Sequence, residues 1–412
     1  MVTLWRRAGL VILLLLAVPG LARAQGLVPT LEGIPAGRFV LYPSVAVDYT
    51  HDSNVLYLPS NGNSGDVVGS WVTVVRPRFV LDLPIGESRF SFAYSPLYRD
   101  YGTSRVDQPS RFSHYLDLEA TYRSARGLSV TLRDHFVRGT VEVREIDPGG
   151  ETAFGLAPFV LHEPQMDISM DLGARSGFSI LPRYSNNHFT SQAQASFFDY
   201  TRRGLEGRFN HRISPINTLY AYYGVESTNQ HRQDSSVGDV NYATRGIGIG
   251  IRHAIHEAVT AQCSIGYQTM SFDSTSLDNS TGWVADARWA WMLSELTRLE
   301  FYGQRQPYQS FFENNSFYLV NQVGFRLTQQ VGQHLYWLLG SSYQRSLYPA
   351  LSPTFNVRRR DAGLSLEIGA GYQFQRTLRA FVGYNLDRRQ SNIDGSNFDV
   401  NRLIFRIEAG WM

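Results

Sequence analysis

The 412 residues carry 38 basic and 36 acidic side chains, a net charge of +2. So close a balance excludes a general nucleic-acid binder, which shows a basic excess. The single cysteine, Cys263, excludes an internal disulfide, and past the N-terminal leader no apolar run reaches the roughly eighteen residues that a spanning helix requires.

At the N-terminus, Arg6 and Arg7 precede an apolar run from Leu10 to Val18, and Ala22-Arg23-Ala24 supplies an A-x-A cleavage site. The apolar core is too short to span a bilayer, so residues 1–24 read as a secretory signal peptide. No cysteine follows the cleavage site, which excludes a lipoprotein, and Gln25 is the expected mature N-terminus. Residues 25–39 then read as a periplasmic segment. Residues 40–412 form one domain with no composition break.

From residue 40, apolar and polar side chains alternate with the period of two that marks a half-buried strand. The segments fall near 40–50, 70–83, 88–101, 111–124, 128–138 and 164–174. They continue near 178–186, 195–213, 218–228, 241–254, 258–272 and 282–293. The last group lies near 297–307, 316–329, 333–346, 358–375, 377–389 and 398–412. A mean hydropathy of −0.23 is compatible with a membrane protein of this kind, because only alternate residues of a barrel strand meet lipid. The predicted fold is all-β: a transmembrane antiparallel up-and-down barrel of about eighteen strands.

The connections alternate in length. Pro84-Ile85-Gly86-Glu87, Ser214-Pro215-Ile216-Asn217 and Gln375-Arg376 are tight, whereas 102–110, 139–163 and 229–240 are long. Short periplasmic turns and longer external loops give a barrel this rhythm, and a secreted sandwich has no reason to show it. The segment 139–163 mixes Glu142, Glu145, Asp147 and Glu151 with Val141, Ile146, Phe154 and Phe159. It either folds inward as a constriction or, the favoured reading, extends its neighbouring strands as an external hairpin. Trp71, Tyr98, Tyr101, Trp283, Trp289, Trp291, Trp337, Tyr343 and Trp411 sit where interfacial girdles belong.

The last strand organises the rest. Leu403, Phe405, Ile407 and Trp411 form one apolar face, opposite Arg402, Arg406 and Glu408. A terminal amphipathic strand with a near-terminal aromatic looks like the closing strand and assembly signal of an outer-membrane barrel. Met412 after Trp411 departs from the usual terminal Phe.

Charge on the lipid face costs ~2–4 kcal/mol at mid-bilayer, so alternation assigns the charged strand residues to the lumen. These are Arg76, Arg78, Arg89, Arg99, Asp117, Glu119, Arg123 and Arg133 in the first strands. Glu206, Arg208, Asp286, Arg288, Arg298, Glu300, Arg326, Arg402, Arg406 and Glu408 follow, with Arg111 and Glu367 on the same bookkeeping. They either line a hydrophilic pore or pair across neighbouring strands and stiffen the wall. Tyr220, Tyr222 and Tyr302 also turn inward, with Tyr115, Tyr318 and Tyr336. Their rings could stack on sugars, or simply fill space beside inward glycines such as Gly246, Gly248 and Gly250, which is the favoured reading.

No catalytic chemistry is legible. The Gly246–Gly250 run lacks the strand-turn-helix context of a dinucleotide site, and His253, His256 and Glu257 lack a zinc helix spacing. There is no G-x-S-x-G elbow. No enzyme activity, cofactor or metal is expected.

A resemblance enters at the first hairpin. Residues Ser44 to Val55, Ser64-Gly65-Asp66, Arg76-Pro77, Leu81-Asp82-Leu83, Phe92-Ala93-Tyr94 and Tyr98-Arg99-Asp100-Tyr101 resemble the β-barrel porin-2 group of outer-membrane proteins. The resemblance implies a barrel associated with exopolysaccharide export, but no defined site. The expectation is therefore a Gram-negative outer-membrane channel exporting exopolysaccharide. Its partners would be outer-membrane lipid, the barrel-assembly machinery, the polysaccharide and periplasmic export components, and not nucleic acid. A general diffusion porin for small polar solutes and a non-conducting structural or adhesive barrel are the alternatives.

Overall fold

The computed structural model describes residues 33–59, 67–106, 110–142, 151, 156–190, 199–230, 241–255, 258–274, 277–310, 312 and 315–410. The expected leader, its cleavage site and Trp411 lie outside these residues. Every regular element among the described residues is a β-strand. The chain opens with the short β1 (Ile34–Ala36) and then β2 (Phe39–Asp52), β3 (Ser70–Ile85), β4 (Ser88–Tyr101), β5 (Phe112–Arg123), β6 (Leu128–Glu142) and β7 (Leu156–Asp171). Next come β8 (Ser176–Phe189), β9 (Tyr200–Ser214), β10 (Asn217–Gln230), β11 (Tyr242–Ile255), β12 (Val259–Phe272) and β13 (Ser280–Ser294). The wall is completed by β14 (Thr297–Gln309), β15 (Phe317–Val331), β16 (Leu335–Leu351), β17 (Arg358–Gln375), β18 (Leu378–Ser391) and β19 (Phe398–Gly410).

Each strand from β2 to β19 pairs antiparallel with its sequence neighbours, and β19 pairs with β2, so 18 strands close on themselves. Closure leaves no open edge, which is what a sheet needs in a solvent that offers no hydrogen bonds. At the seam, Arg402 opposes Asp52 and Gly410 opposes Ser44. β2 continues past that point toward the periplasm, and β1 takes up its free edge, with Ile34 opposite Leu41 and Ala36 opposite Phe39. A three-residue strand thus covers the length of β2 that β19 is too short to reach. The segment expected to be wholly periplasmic contributes to the sheet.

Every expected strand is present, several of them longer than the alternation suggested. The turns at one end are tight, as at Gly86-Glu87 and Pro215-Ile216, and those at the other run longer, as at 53–69 and 392–397. Gly86 has φ +59, a conformation its turn requires and side chains resist. The segment 139–163 continues β6 and β7 up to the pair Glu142–Leu156, so the hairpin extension is the observed arrangement.

A candidate polar lumen

Alternation gives each strand two faces. On β11 the outer one is apolar and open, with Ile247 61% and Ile249 64% exposed. The same holds for Ile265, Val323, Phe405 and Ile407. The other face looks inward, where side chains meet across open space. Gln230 on β10 donates from Nε2 to Gln309 Oε1 at 3.0 Å, although three strands lie between β10 and β14 along the wall.

By register, the sequence-assigned wall residues on the strands, from Arg76 to Glu408, share this inner face. The structure brings most of them together in pairs. Arg89 Nε meets Asp82 at 2.7 Å, Arg133 Nε meets Glu119 at 2.9 Å, and Arg326 meets Glu367 at 2.9 Å. Residues two apart on one strand point the same way, and this produces Glu206–Arg208 at 2.5 Å, Arg298–Glu300 at 2.7 Å and Asp286–Arg288 at 3.8 Å. Asp117 binds His135 at 2.6 Å. Arg76 and Arg78 stand apart, with no ion-pair or hydrogen-bond partner among the described residues. They flank Pro77, where the β3–β4 ladder skips from Val75–Tyr98 to Phe79–Tyr94. Arg111 departs from its inward expectation: it precedes β5 and pairs with Asp100 at 3.1 Å and the Tyr98 hydroxyl at 3.3 Å, on the outer side.

The seam is stitched by charge. Arg406 forms a two-pronged pair with Asp48 at 2.5 and 3.0 Å. Arg402 binds Asp52 across the seam at 2.7 Å and Asp387 behind it at 2.9 Å. It also donates to the Tyr57 hydroxyl. Glu408 accepts from Arg379 at 2.7 Å.

Four of the inward tyrosines lie against glycines of the next strand, whereas Tyr115 packs on apolar clusters and Tyr318 stacks on Tyr308 and Tyr348. A Cβ on Gly248 would fall 2.5 Å from Tyr222 Cζ, and one on Gly250 would collide with Tyr220. Gly324 makes room for Tyr302 and Gly371 for Tyr336 in the same way. Each ring is laid flat on the wall because its neighbour has no side chain. Arg208 and Arg252 both approach the Tyr220 ring, at 5.1 and 5.2 Å from its centroid, within cation–π range.

Toward the external side the interior is packed. Val55 and Val68 of the first long loop cluster with Val72, Val74, Leu97 and Tyr101 of the inner wall. Tyr101 therefore faces inward into this cluster and is no part of an outer girdle. Tyr57 packs on Phe398 and Val400. Arg359, only 5% exposed, pairs with Asp361 at 2.8 Å and lies over both Phe312 and Tyr348, at 4.6 and 4.8 Å. Glu151, between β6 and β7, accepts a hydrogen bond from Ser310 Oγ at 2.6 Å. Its carbonyl accepts one from Arg389 at 2.9 Å. These partners belong to the β14–β15 connection and to β18, so the chain at Glu151 has crossed the mouth. The inward constriction weighed for 139–163 and the hairpin are thus both built into one segment.

Below this packing the lumen opens into a cavity of about 980 Å³ lined by Gln262, Gln304, Gln322, Ser342, Ser365 and Asn385. A second, of about 660 Å³, is bounded by Glu163, Arg183, Arg202, Glu226, Gln268 and Gln306. Sequence reasoning missed Arg359, Asp361 and Arg389, and it named Glu151 without its partners. Arg359 and Asp361 carry the same two-apart signature as Glu206–Arg208 and were findable. The partners of Glu151 were not, because they lie 159 and 238 residues away.

Among solved structures, OpdO of Pseudomonas aeruginosa is similar at TM-score 0.50 and 12% identity, covering 90% of this chain and 98% of that one. OpdK of the same organism is similar at TM-score 0.47 and 10% identity, covering 90% and 99%. The FrpB iron transporter of Neisseria meningitidis gives TM-score 0.47 and 12% identity over 85% of this chain, which spans 62% of FrpB's length. At such identities the likeness shows the fold alone. No curated protein matches in sequence. The family model described as "Putative beta-barrel porin 2" matches residues 183–409. That is more than half the chain and lies wholly outside the stretch 44–101 on which the resemblance rested. With its closed wall of 18 strands and the porin-like fold of the outer membrane of Gram-negative bacteria, the chain belongs to the β-barrel porin 2 family.

Proposed function

We propose that this barrel is a polar channel for glycan chains and serves the export of an exopolysaccharide. One observation carries the reading: amides and hydroxyls, those of Gln262, Gln304, Gln322, Ser342, Ser365 and Asn385, stand among the apolar and charged groups that line the larger cavity. The charges beside them are spent on one another, as in Arg326–Glu367. Such a surface exchanges single, weak hydrogen bonds with sugar hydroxyls, and conduction requires contacts that release easily. Tyrosine rings held flat on the wall present smooth faces to pyranose C–H groups. Deleting the gene is expected to abolish surface polysaccharide while growth and small-solute uptake stay nearly unchanged. Replacing Tyr220, Tyr222 and Tyr302 together by Ala should reduce export in a barrel that still folds. Wild-type surface glycan in the deletion strain, with lost uptake of small sugars or ions, would overturn export.

A second reading, diffusion of small polar solutes, is favoured by the crossing of the mouth at Glu151. The uptake arm of the same experiment separates the two.

A further inference from the structure

We infer that the outer face of β9 to β12 holds one phosphate-bearing lipid of net negative charge from the outer leaflet. Two recesses lie on this face, one above the other. The upper, of about 460 Å³, is bordered by Arg203, Leu205, Val225, Ser227, Ala243 and Arg245, with Glu226, whose carboxylate pairs with Arg202, also in its lining. The lower, of about 590 Å³, is bordered by Phe209, Leu219, Ala221, Ile249, Cys263 and Ile265. The first is basic and the second apolar, in the order that a head group and its acyl chains would need.

The basic recess sits at the right height. The tight turns mark the periplasmic ends of the strands, at Ser214 for β9 and Ile255 for β11. Arg203 and Arg245 lie about ten residues above those ends, roughly 25 Å up a wall of tilted strands, where the apolar band gives way to the external interface. Arg203 pairs directly with Ser227 on β10, and Arg245 with Val225 on that strand's other side. Their Cα atoms are thus about two strand spacings apart across the wall and two residues apart along it, roughly 12 Å. Two guanidiniums at that separation can converge on one phosphate lying over β10, each offering a forked pair of donors.

Among the described residues no group competes for them. Neither arginine has an ion-pair or hydrogen-bond partner among the described residues. The acidic residues on β9 to β12 are Glu206 and Glu226, and both face the lumen. Elsewhere on the outer rim Arg388 is engaged with Asp399 at 3.1 Å, and Arg305 with Asn321 at 2.6 Å and the Trp283 ring at 4.2 Å, whereas Arg345 on β16, like the pair, has no partner among the described residues. Below the pair, Leu205, Val225, Tyr223 and Ile247 form a continuous exposed apolar surface down to the lower recess. Small side chains, Ala221 and Cys263, hollow that recess between larger neighbours.

Native mass spectrometry of the detergent-purified barrel tests this, titrated with phosphatidylglycerol and with phosphatidylcholine of the same acyl chains. The wild type is expected to retain one phosphatidylglycerol at concentrations where phosphatidylcholine dissociates. Arg203→Gln with Arg245→Gln should weaken phosphatidylglycerol binding roughly tenfold or more, since each arginine near an anionic lipid surface adds an appreciable fraction of a decade. Ala221→Trp, which fills the lower recess, should weaken both lipids. Equal retention of the two lipids by the wild type would overturn the inference even if a variant failed to fold. So would a folded double variant, judged by its heat-modifiable band, that kept full preference for the anionic lipid.

Discussion

At the scale of single residues, the inner wall is governed by which glycine faces which tyrosine. The two kinds of glycine differ in what a new methyl group would meet. A Cβ on Gly248 would lie 2.6 Å from the Ile265 carbonyl oxygen, a backbone atom fixed by the β11–β12 ladder. A Cβ on Gly324 would meet atoms of the Tyr302 ring, the free end of a side chain that can pivot into the lumen. Gly248→Ala is therefore expected to destabilise the barrel by about 1–3 kcal/mol, the usual cost of overpacking. Gly324→Ala should leave the denaturant midpoint nearly unchanged but lower single-channel conductance, because the displaced ring narrows the pore. Adding Tyr302→Ala should restore the conductance. Equal midpoints for the two glycine variants would contradict the distinction.

At the scale of elements, the closing strand does two jobs on two faces. Its outer face, Leu403, Phe405 and Ile407, is exposed to lipid. Its inner face holds β2 through Arg402–Asp52 and Arg406–Asp48 and holds β18 through Arg402–Asp387 and Glu408–Arg379. Because side chains alternate strictly, a slip of one residue would exchange the two faces. In a Cys263→Ser background, a cysteine at Arg406 should react with a polar thiol reagent through the lumen, and one at Phe405 should not. Phe405→Arg should impair assembly, costing ~2–4 kcal/mol if it lies near the bilayer centre. A reversed labelling pattern would shift every inner-face assignment by one residue.

At the scale of the molecule, the polar middle of the lumen lies beneath a mouth that apolar loop residues partly fill. Val55, Tyr57 and Phe312 pack against the inner wall, and Glu151 is fastened to Ser310 and Arg389 on distant strands. The aperture is set there more than by the circumference of the wall, since an 18-stranded barrel could enclose an aqueous channel. Replacing Glu151 and Arg389 together by Ala should raise single-channel conductance in planar bilayers. An unchanged conductance would place the narrowest point in the mid-lumen instead.

The sequence by itself determined the strands, their number, the alternation of turns and loops, and which face of each strand carries charge. These follow from a side-chain period of two and from the cost of charge in lipid, both local properties of the chain. Pairs such as Glu206–Arg208 were legible for the same reason. Even the misplacement of Tyr101 was a local matter, because it is three residues from the outward Tyr98 and so must face the other way. Only the tertiary structure decided that most lumen charges neutralise one another across strands. It also decided which tyrosine lies on which glycine, where the chain had offered only the favoured reading that they fill space beside glycines, and that loops fold into the mouth. Those outcomes depend on register around a closed wall and on contacts such as Glu151–Arg389, 238 residues apart. Neither has any periodicity in the chain to announce it, since the loops are ordered by packing against residues that closure alone brings near.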